Sequence, residues 1–356
     1  MARSVKVGLL FDLQFPPGQD PGEWARRLLA EMALGARQGF DPILLSQHYV
    51  LSDYQMFQPV PFLARAAAEV GPTVSLGTGI LLLALLNPVD AAEQLATLDA
   101  LTGGRLIVGV GLGYRPQEYA AFGLAEQERV ARFVRNLRLI RALWRGEPVT
   151  YEDATLRLEG VRLSVRPVQP GGPPIWLAAN SDQAVRRAGR LGLPWLMNPH
   201  SRLDTLVRQQ RLYREALGLA GHPEPPVRAA IREVVVAETE ARARRAAAAL
   251  LGDKYRAYTS WGQDRVQPAD DRWAEAFDEL ARDRFVVGSP ASCLASLQEV
   301  SQRLGLTHLL LRVRWANTSH EESMAALELL GREVLPVLKG ETAGGRKPSE
   351  APPGGG

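Results

Sequence analysis

Eight short apolar runs recur along the chain, and a stretch with helical periodicity follows nearly every one of them. In order, they are VKVGLLFD, which ends at Asp12, then FDPILLSQHY, TVSLGTGILLL, RLIVGVG, PIWLAAN, PWLMNP, VRAAIREVVVAE and HLLLRVRW. Alternating strand and helix patterns predict parallel strands joined by helical crossovers, and eight is the number that closes into a (β/α)8 TIM barrel, an α/β fold. The alternative is an open, doubly wound sheet.

The helical stretches carry apolar side chains at intervals of three and four residues, the period of an amphipathic helix. The clearest is NPVDAAEQLATLDALTGG, in which Asn87 is the predicted N-cap. The spacing predicts that Leu95, Leu98 and Leu101 share one buried face of this helix.

The chain shows no internal linker of polar or glycine–serine composition, so residues 1–338 are predicted to form one barrel domain. Two stretches interrupt the strand–helix rhythm, at about residues 147–174 and about residues 253–285, and are predicted to be insertions. The first consists of short extended segments and proline-rich turns. The last residues, 339–356, have the composition of a disordered tail.

Composition and charge argue against several classes of partner. The 356 residues include 42 Lys plus Arg and 39 Asp plus Glu, a net charge of +3, and the basic residues are dispersed, so nucleic acid is not expected to bind. No apolar run reaches transmembrane length and no cleavable leader is evident, which predicts a cytoplasmic protein. The single Cys293 excludes an internal disulfide, and the five histidines lack metal-ligand spacing, so no metal site is predicted.

The segment GGRLIVGVGLGYRP, residues 103–116, has the glycine content of a nucleotide-binding loop. The dinucleotide fingerprint requires GxGxxG and an acidic residue about twenty positions later. Here the spacing is GxGxG, and residues 130–137, VARFVRNL, contain no acid. In a barrel, residues 109–116 lie at the C-terminal end of the fourth strand, where ligands bind. Gly111 and Gly113 are therefore candidates for close contact with a flat ring or a backbone.

Several segments, taken in order, resemble the bacterial luciferase-like flavin monooxygenase family, which also includes deazaflavin-dependent oxidoreductases. They are RQGFDPILLSQHY, LGTGILLLALLNPVDAAEQLATLDALTGGRLIVGVGLGYRPQEYAAFG, RPVQPGGPPIWLAANSDQAVRRAGRLGLPWL and FVVGSPASCLASLQEVSQRLGLTHLLLRV, and the resemblance extends over roughly residues 5–338. It implies a (β/α)8 barrel with insertions and a reduced flavin or deazaflavin bound at the C-terminal mouth.

The resemblance also implies the catalytic residues. The family's active-site histidine matches His48, which would donate to an oxygen or move a proton near neutral pH. Gln47 stands where relatives commonly carry an acid, so the resemblance supplies no carboxylate to orient this histidine. Tyr114, the second candidate, stands where a deazaflavin-dependent sugar dehydrogenase subgroup has a glutamate, and it can hydrogen-bond or stack on the ring.

A non-proline cis peptide that supports the ring in this family is expected at Gly79–Ile80. The helix opened by AANSDQA has free backbone N–H groups that suit a phosphate, with Arg129 as a candidate cation, whereas Leu112 stands where the luciferases have a phosphate-binding arginine. The candidate cofactor-binding residues are Asp12, Gln47, Thr78, Gly79, Ile80, Gly111, Gly113, Arg129, Ala178, Ala179, Asn180 and Ser181.

Three functions are open at this point. We predict a monooxygenase in which reduced FMN, delivered by a separate flavin reductase, is used with O2 to oxygenate a small organic substrate. The alternatives are hydride transfer with the deazaflavin coenzyme F420, and a barrel that binds flavin without turnover. The substrate wall is expected from the segment after the second strand and from the region of Tyr255, Tyr258 and Trp261. A homodimer is expected because family members often pair through helices on one side of the barrel.

Overall fold

The computed structural model describes residues 5–273 and 276–340, and within them eight parallel strands form a closed barrel. The strands are β1 (Lys6–Phe11), β2 (Ile43–Leu45), β3 (Leu76–Leu82), β4 (Leu106–Gly111), β5 (Ile175–Ala179), β6 (Trp195–Met197), β7 (Ala229–Val236) and β8 (His308–Arg312). They pair in the order β6-β5-β4-β3-β2-β1-β8-β7, and β6 pairs with β7 to close the ring. The predicted (β/α)8 barrel is confirmed, and each predicted apolar run supplies one strand.

Helices surround the barrel, and several begin at a residue whose side chain accepts a hydrogen bond from the first turn, as Asp20, Asn87, Ser289 and Ser319 do. Among the described residues, none of the helices has the length and apolarity needed to cross a bilayer. The helices are α1 (Pro21–Gln38), α2 (Pro59–Ala66), α3 (Pro88–Leu101), α4 (Pro116–Ala121), α5 (Arg129–Trp144), α6 (Asp182–Arg190), α7 (Leu203–Leu219), α8 (Glu240–Ser260), α9 (Phe277–Ala281), α10 (Pro290–Leu304), α11 (His320–Leu329) and α12 (Leu335–Leu338).

Short strands also form outside the barrel. Gln14–Phe15 pairs with Gln55–Met56, and Val149–Asp153 pairs with Leu156–Val161 as an antiparallel hairpin. Val286–Gly288 adds in parallel to β7, a strand that was not predicted because it directly follows the predicted insertion. Residues 341–356, most of the predicted tail, lie outside the described residues.

The barrel interior is filled at its lower end and open at its upper end. Trp176 packs against His308, at the start of β8, with ring centroids 5.2 Å apart. Large side chains such as these fill the bottom of the barrel and leave space for a ligand at the C-terminal mouth. The buried interior residues are Leu10, Leu44, Ile107, Trp176, Leu196, Ala229, Ile231 and Leu310.

One predicted helix face is wrong at its last residue. Leu95 and Leu98 of α3 are buried, but Leu101 is 61% exposed. Each step of three residues falls about 60° short of a full helical turn, so two successive steps carry a side chain well off the face. The buried face continues instead through Asp99 and Thr102, four residues after Leu95 and Leu98 respectively.

Gly109 on β4 lies so close to β3 that a Cβ atom there would be 2.2 Å from the Thr78 carbonyl oxygen. Since backbone cannot yield easily, we expect Gly109→Ala to cost about 1–3 kcal/mol and to lower the thermal unfolding midpoint by several degrees. Gly218→Ala is the control, because a Cβ on Gly218 in α7 meets nothing within 4 Å and alanine favours a helix. Equal midpoints for Gly109→Ala and the wild type would contradict the packing argument.

Candidate active site

A cavity of about 270 Å³ opens at the C-terminal ends of the barrel strands. Its wall includes residues that follow β2, β4, β5 and β6, together with residues from the bulge of β3 and the end of β8. This is the end of a barrel where ligands bind. The predicted site residues that line it are Gln47, His48, Gly79, Ile80, Gly111, Gly113, Tyr114, Arg129, Ala178, Ala179, Asn180 and Ser181.

Asp12 and Thr78, also in the predicted cofactor-binding set, are not among the lining residues. Asp12 forms a buried ion pair with Arg312 and accepts a hydrogen bond from Ser46 Oγ at 3.1 Å. Burial alone would raise the pKa of the Asp12 carboxyl, but the neighbouring guanidinium groups outweigh it and lower this pKa. Thr78 Oγ1 donates to the Gly109 carbonyl at 2.7 Å. Both side chains hold the strands together around the cavity.

His48 is oriented by a buried carboxylate. Its Nδ1 lies 3.0 Å from Glu118 Oε1, and the same oxygen accepts the Tyr49 backbone N–H at 2.9 Å. Arg115 donates to the Tyr49 carbonyl at 2.7 Å, so both sides of that residue's backbone are held by the segment after β4. Because an ionised carboxylate only accepts, the Nδ1 atom carries the proton, and Nε2 has no hydrogen bond within the described residues.

Glu118 was missed from the sequence, which offered no acid beside His48. Its side chain is completely buried on α4. Burial would raise the pKa of this carboxyl, but the hydrogen bond to His48, the charge of His48 and the Tyr49 N–H together lower it. The only signal was the acid inside RPQEYAAFG, which lies 70 residues from the histidine along the chain. The structure thus supplies the carboxylate that Gln47 does not.

Gln47 connects the loop after β2 to the end of β3. Its Oε1 accepts the Leu82 N–H at 2.7 Å, and its Nε2 donates to Tyr49 Oη and to Gln58 Oε1, both at 2.9 Å. Each polar atom of this amide is therefore engaged within the protein. Gln47 lines the cavity as part of its wall.

The expected non-proline cis peptide is present between Gly79 and Ile80. The register of β3 against β4 shifts between Thr78 and Leu81, so the strand bulges at this point. A Cβ on Gly111 would lie 2.4 Å from Ile80 Cδ1. The glycine on β4 thus makes room for the bulge of its neighbouring strand, and Ile80 in turn lines the cavity.

Aromatic rings surround His48. Tyr114, Tyr258 and Trp261 all meet the imidazole edge to face, with ring centroids 5.7, 6.2 and 5.6 Å away. The Tyr114 hydroxyl is buried and has no hydrogen-bond partner within the described residues. Tyr258 lines the cavity from α8, whereas Tyr255 lies behind it. The side chain of His48 is only 11% exposed, so these rings shield it from solvent.

The loop after β6 contributes two further polar groups that the sequence did not reveal. His200 lines the cavity and its Nδ1 lies 3.1 Å from Tyr255 Oη. Burial, reinforced by the charges of Lys254 and Arg312, holds the pKa of His200 well below its usual range, so this imidazole is neutral. Asn198 accepts the His200 N–H at 2.8 Å, while its buried Nδ2 has no partner within residues 5–273 and 276–340.

The start of α6 lies at the cavity beside Asn180 and Ser181. Ser181 caps the helix, since its Oγ accepts the Ala184 N–H at 3.3 Å. The first-turn N–H groups of a helix carry partial positive charge and favour an anion. The capping role and the predicted phosphate contact are compatible at this position.

Two arginines lie at this end of the cavity. Arg129 pairs with Glu126, but the guanidinium of Arg187 on α6 makes no ion pair or hydrogen bond among the described residues. Burial, together with the charges of Arg190 and Arg129, lowers the pKa of Arg187, which still leaves a guanidinium at neutral pH. Leu112, the position of the luciferases' arginine, also lines the cavity. Arg187 therefore provides a cation that residue 112 lacks.

No group of three or more His, Cys, Asp or Glu side chains within the described ranges is arranged to hold a metal ion. Cys293 is buried, with Sγ 3.6 Å from the Gly288 carbonyl oxygen. Burial raises the pKa of its thiol to about 12, so it is not a reactive thiolate.

Comparison with known proteins places the chain in a family. The family model described as luciferase-like monooxygenase matches residues 5–308. The 4-hydroxyprotoasukamycin monooxygenase of Streptomyces nodosus subsp. asukaensis is 29% identical over 357 residues, which cover 96% of this chain and 94% of that protein. An F420-dependent glucose-6-phosphate dehydrogenase of Kineococcus radiotolerans is also 29% identical, with 92% of this chain and 94% of that protein covered.

Solved structures similar to this chain include monooxygenases as well. Monooxygenase RslO1 from Streptomyces bottropensis has a TM-score of 0.81 and 26% identity, covering 94% of this chain and 99% of that one. The oxygenating constituent of 3,6-diketocamphane monooxygenase from Pseudomonas putida, solved with FMN, has a TM-score of 0.77 at 22% identity with the same coverage, and shows the shared fold. The family predicted from the ordered segments is confirmed. This chain belongs to the luciferase-like monooxygenase family.

Proposed function

We propose that this protein is a flavin-dependent monooxygenase that uses reduced FMN and O2 to oxygenate a small organic substrate. The observation that carries the proposal is the pairing of His48 with buried Glu118 at the wall of a cavity whose other polar groups include an unpaired guanidinium, Arg187. Such a cavity provides one group that can move a proton and one that can hold a phosphate.

The residues present fit FMN. Arg187 and the N–H groups at the start of α6 suit its phosphate, and the small side chains of Ala178 and Ala179 leave space beside them. The buried amide nitrogen of Asn198 has no protein acceptor and suits a ring carbonyl. When bound, reduced FMN supplies the electrons with which O2 is activated.

The chain itself holds a proton and excludes water. With Nδ1 bound to Glu118, His48 presents Nε2 as the atom that accepts a proton from a substrate oxygen or returns one. The rings of Tyr114, Tyr258 and Trp261 keep solvent from this atom and lower the local dielectric, which strengthens the His48–Glu118 interaction.

A hydride-transfer enzyme that uses F420 is the second candidate, favoured by the relative from Kineococcus radiotolerans, which aligns over nearly its whole length. The same phosphate contacts would serve either coenzyme. Tyr114 argues against hydride transfer, because it occupies the position where the sugar dehydrogenase subgroup has a glutamate. A phenol is a much weaker acid than a carboxylic acid, with a pKa about six units higher, so Tyr114 would transfer a proton far less readily than the glutamate of that subgroup.

We further propose that a separate flavin reductase supplies the reduced FMN, and that the protein acts as a homodimer in the cytoplasm. Family membership supports the reductase and the homodimer, since paired barrels and separate reductases are expected of such monooxygenases. Light scattering on the purified chain measures the mass of the assembly directly.

Cofactor choice is tested by titrating the protein anaerobically with reduced FMN and with reduced F420, followed by admission of O2. We expect saturable binding of reduced FMN and O2 consumption once oxygen is admitted. Tight binding of F420 without O2 uptake would instead favour hydride transfer. Binding of neither coenzyme would favour a barrel without turnover and would overturn the proposal.

Arg187→Met tests the phosphate contact. Loss of a charge-assisted hydrogen bond is worth about 1.5–3 kcal/mol, so FMN should bind roughly tenfold or more weakly. Riboflavin, which lacks the phosphate, should bind unchanged. Arg186→Met, on the exposed side of the same helix, is the matched control in these fluorescence titrations. Equal losses for FMN and riboflavin would show that Arg187 does not contact the phosphate.

Glu118→Gln tests the carboxylate beside His48 through the pH dependence of stability. The folded-state pKa of Glu118 is lowered, so its ionised form stabilises the fold above its ordinary pKa of 4.5 and this stability is lost as the pH falls through the folded value. The variant should therefore unfold at a lower temperature than the wild type at pH 7, with a gap that narrows below about pH 4.5. Glu159→Gln, an exposed control, should show no such gap. A pH-independent gap for Glu118→Gln would contradict the assignment.

A further inference from the structure

Two tyrosines at the cavity have hydroxyl protons without an acceptor in the described parts of the chain. The Tyr114 hydroxyl is buried and makes no hydrogen bond at all. The Tyr258 oxygen accepts from Arg312 Nη2 at 3.1 Å, and because a guanidinium only donates, the phenolic proton of Tyr258 stays free. A buried donor without a partner is costly, so such groups usually await a ligand or a water molecule.

The two hydroxyls belong to one local group. Both rings line the cavity and both meet His48 edge to face, at interplanar angles of 83° and 82°. Burial is the largest cause that raises the pKa of each phenol, and the proximity of Tyr258 raises the pKa of Tyr114 further. Both therefore remain protonated donors throughout the physiological pH range.

No unpaired cation accompanies these donors among the described residues. Arg312 is neutralised by Asp12, and Lys254, which lies over the Tyr258 ring at 4.7 Å, is paired with Glu233. The groups that act on Tyr114 are Tyr258, Glu118, Arg115 and Arg312, whereas Arg187 responds to Arg129 and Arg190. The cavity thus has a cationic part and a part with neutral donors.

We propose that the hydroxyls of Tyr114 and Tyr258 together receive the carbonyl oxygen of an uncharged, ring-bearing substrate beside His48. The proposal rests on the proposed function and names its substrate class. Each hydroxyl can donate one hydrogen bond, and the two lone pairs of one carbonyl oxygen can accept both. The edge-to-face arrangement of rings around the imidazole provides flat apolar surfaces for a planar substrate.

The neutral surroundings select against an anion. A carboxylate or phosphate brought to this part of the cavity would lose its hydration without gaining an opposite charge, which is far more costly than burying a carbonyl group. A sugar phosphate would compete with the coenzyme for Arg187. The substrate expected here therefore differs from glucose 6-phosphate, named for the Kineococcus radiotolerans relative.

Three probes of similar shape test the proposal: acetophenone, α-methylstyrene, which replaces the carbonyl by a carbon–carbon double bond, and benzoate, which is anionic. Affinities are measured by ligand-observed NMR with the flavin-free and the FMN-loaded protein. We expect acetophenone to bind at least severalfold more tightly than either analogue. Its carbonyl stretching frequency should fall on binding, as two hydrogen bonds to one oxygen require.

Tyr114→Phe and Tyr258→Phe remove one donor each. Each variant should weaken acetophenone binding about 2- to 10-fold, leave α-methylstyrene unchanged, and reverse part of the infrared shift. Tyr213→Phe is the matched control, because Tyr213 is also buried but donates to the Leu193 carbonyl away from the cavity. It should leave all three affinities as in the wild type.

Several results would overturn the proposal. They are absence of acetophenone binding to the wild type, equal affinity for α-methylstyrene, or unchanged acetophenone affinity in both tyrosine variants. Weaker FMN binding in the variants with unchanged acetophenone affinity would assign the two hydroxyls to the flavin instead. Failure of the proposed function can be told apart from failure of this proposal. The first would appear as absence of flavin binding. The second would appear in the affinities of the three probes for the flavin-free protein, which do not depend on flavin binding.

Discussion

The buried ion pair between Asp12 and Arg312 is the interaction on which the mouth of the barrel depends. Both side chains are almost fully buried, and a guanidinium there without its carboxylate would cost several kcal/mol. The pair joins the ends of β1 and β8, the first and last strands. Ser46 attaches the loop after β2 to the carboxylate, and Tyr258 attaches α8 to the guanidinium. Segments distant in sequence are thereby held around one cavity.

Pairing of charges also decides what the cavity can offer to a ligand. Asp12 neutralises Arg312, Glu233 neutralises Lys254, and Glu118 is held by His48, Arg115 and a backbone N–H. The part of the cavity near Tyr114 consequently presents hydroxyl groups and an imidazole rather than net charge. Arg187 keeps its charge free because its neighbours are two further arginines. The division between the two parts follows from which charges are paired.

The barrel was predictable because its strands are buried on both faces and read as short apolar runs between turn residues. The local details of individual helices and strands were harder to predict. Leu101 fits an apolar spacing but lies off the buried face, since a helix advances by 100° and not 120° per residue. Gly111 lines the cavity as expected for the end of β4, but it also makes room for Ile80 of the neighbouring strand.

The site was predictable only where one segment carries it. Residues such as His48 and Ser181 follow their strands directly, so position in the chain implies position at the mouth. Glu118 and Arg187 lie within helices, and nothing local distinguishes them from solvated charges on a helical face. Their significance arises when folding brings Glu118 to His48 and leaves Arg187 without a carboxylate.

In the proposed function, proton chemistry and cofactor anchoring involve different residues. Because His48 is bound through Nδ1 and is almost screened from water, the remaining influence on Nε2 is the oxygen of whatever molecule is bound beside it. A coenzyme held through its phosphate at α6 can change without altering that arrangement. The proposed separation would let one barrel architecture serve either coenzyme, in keeping with the similarity to an F420-dependent relative. In our proposal the choice of substrate depends on the neutral donors around His48, whereas the coenzyme's phosphate is held at α6.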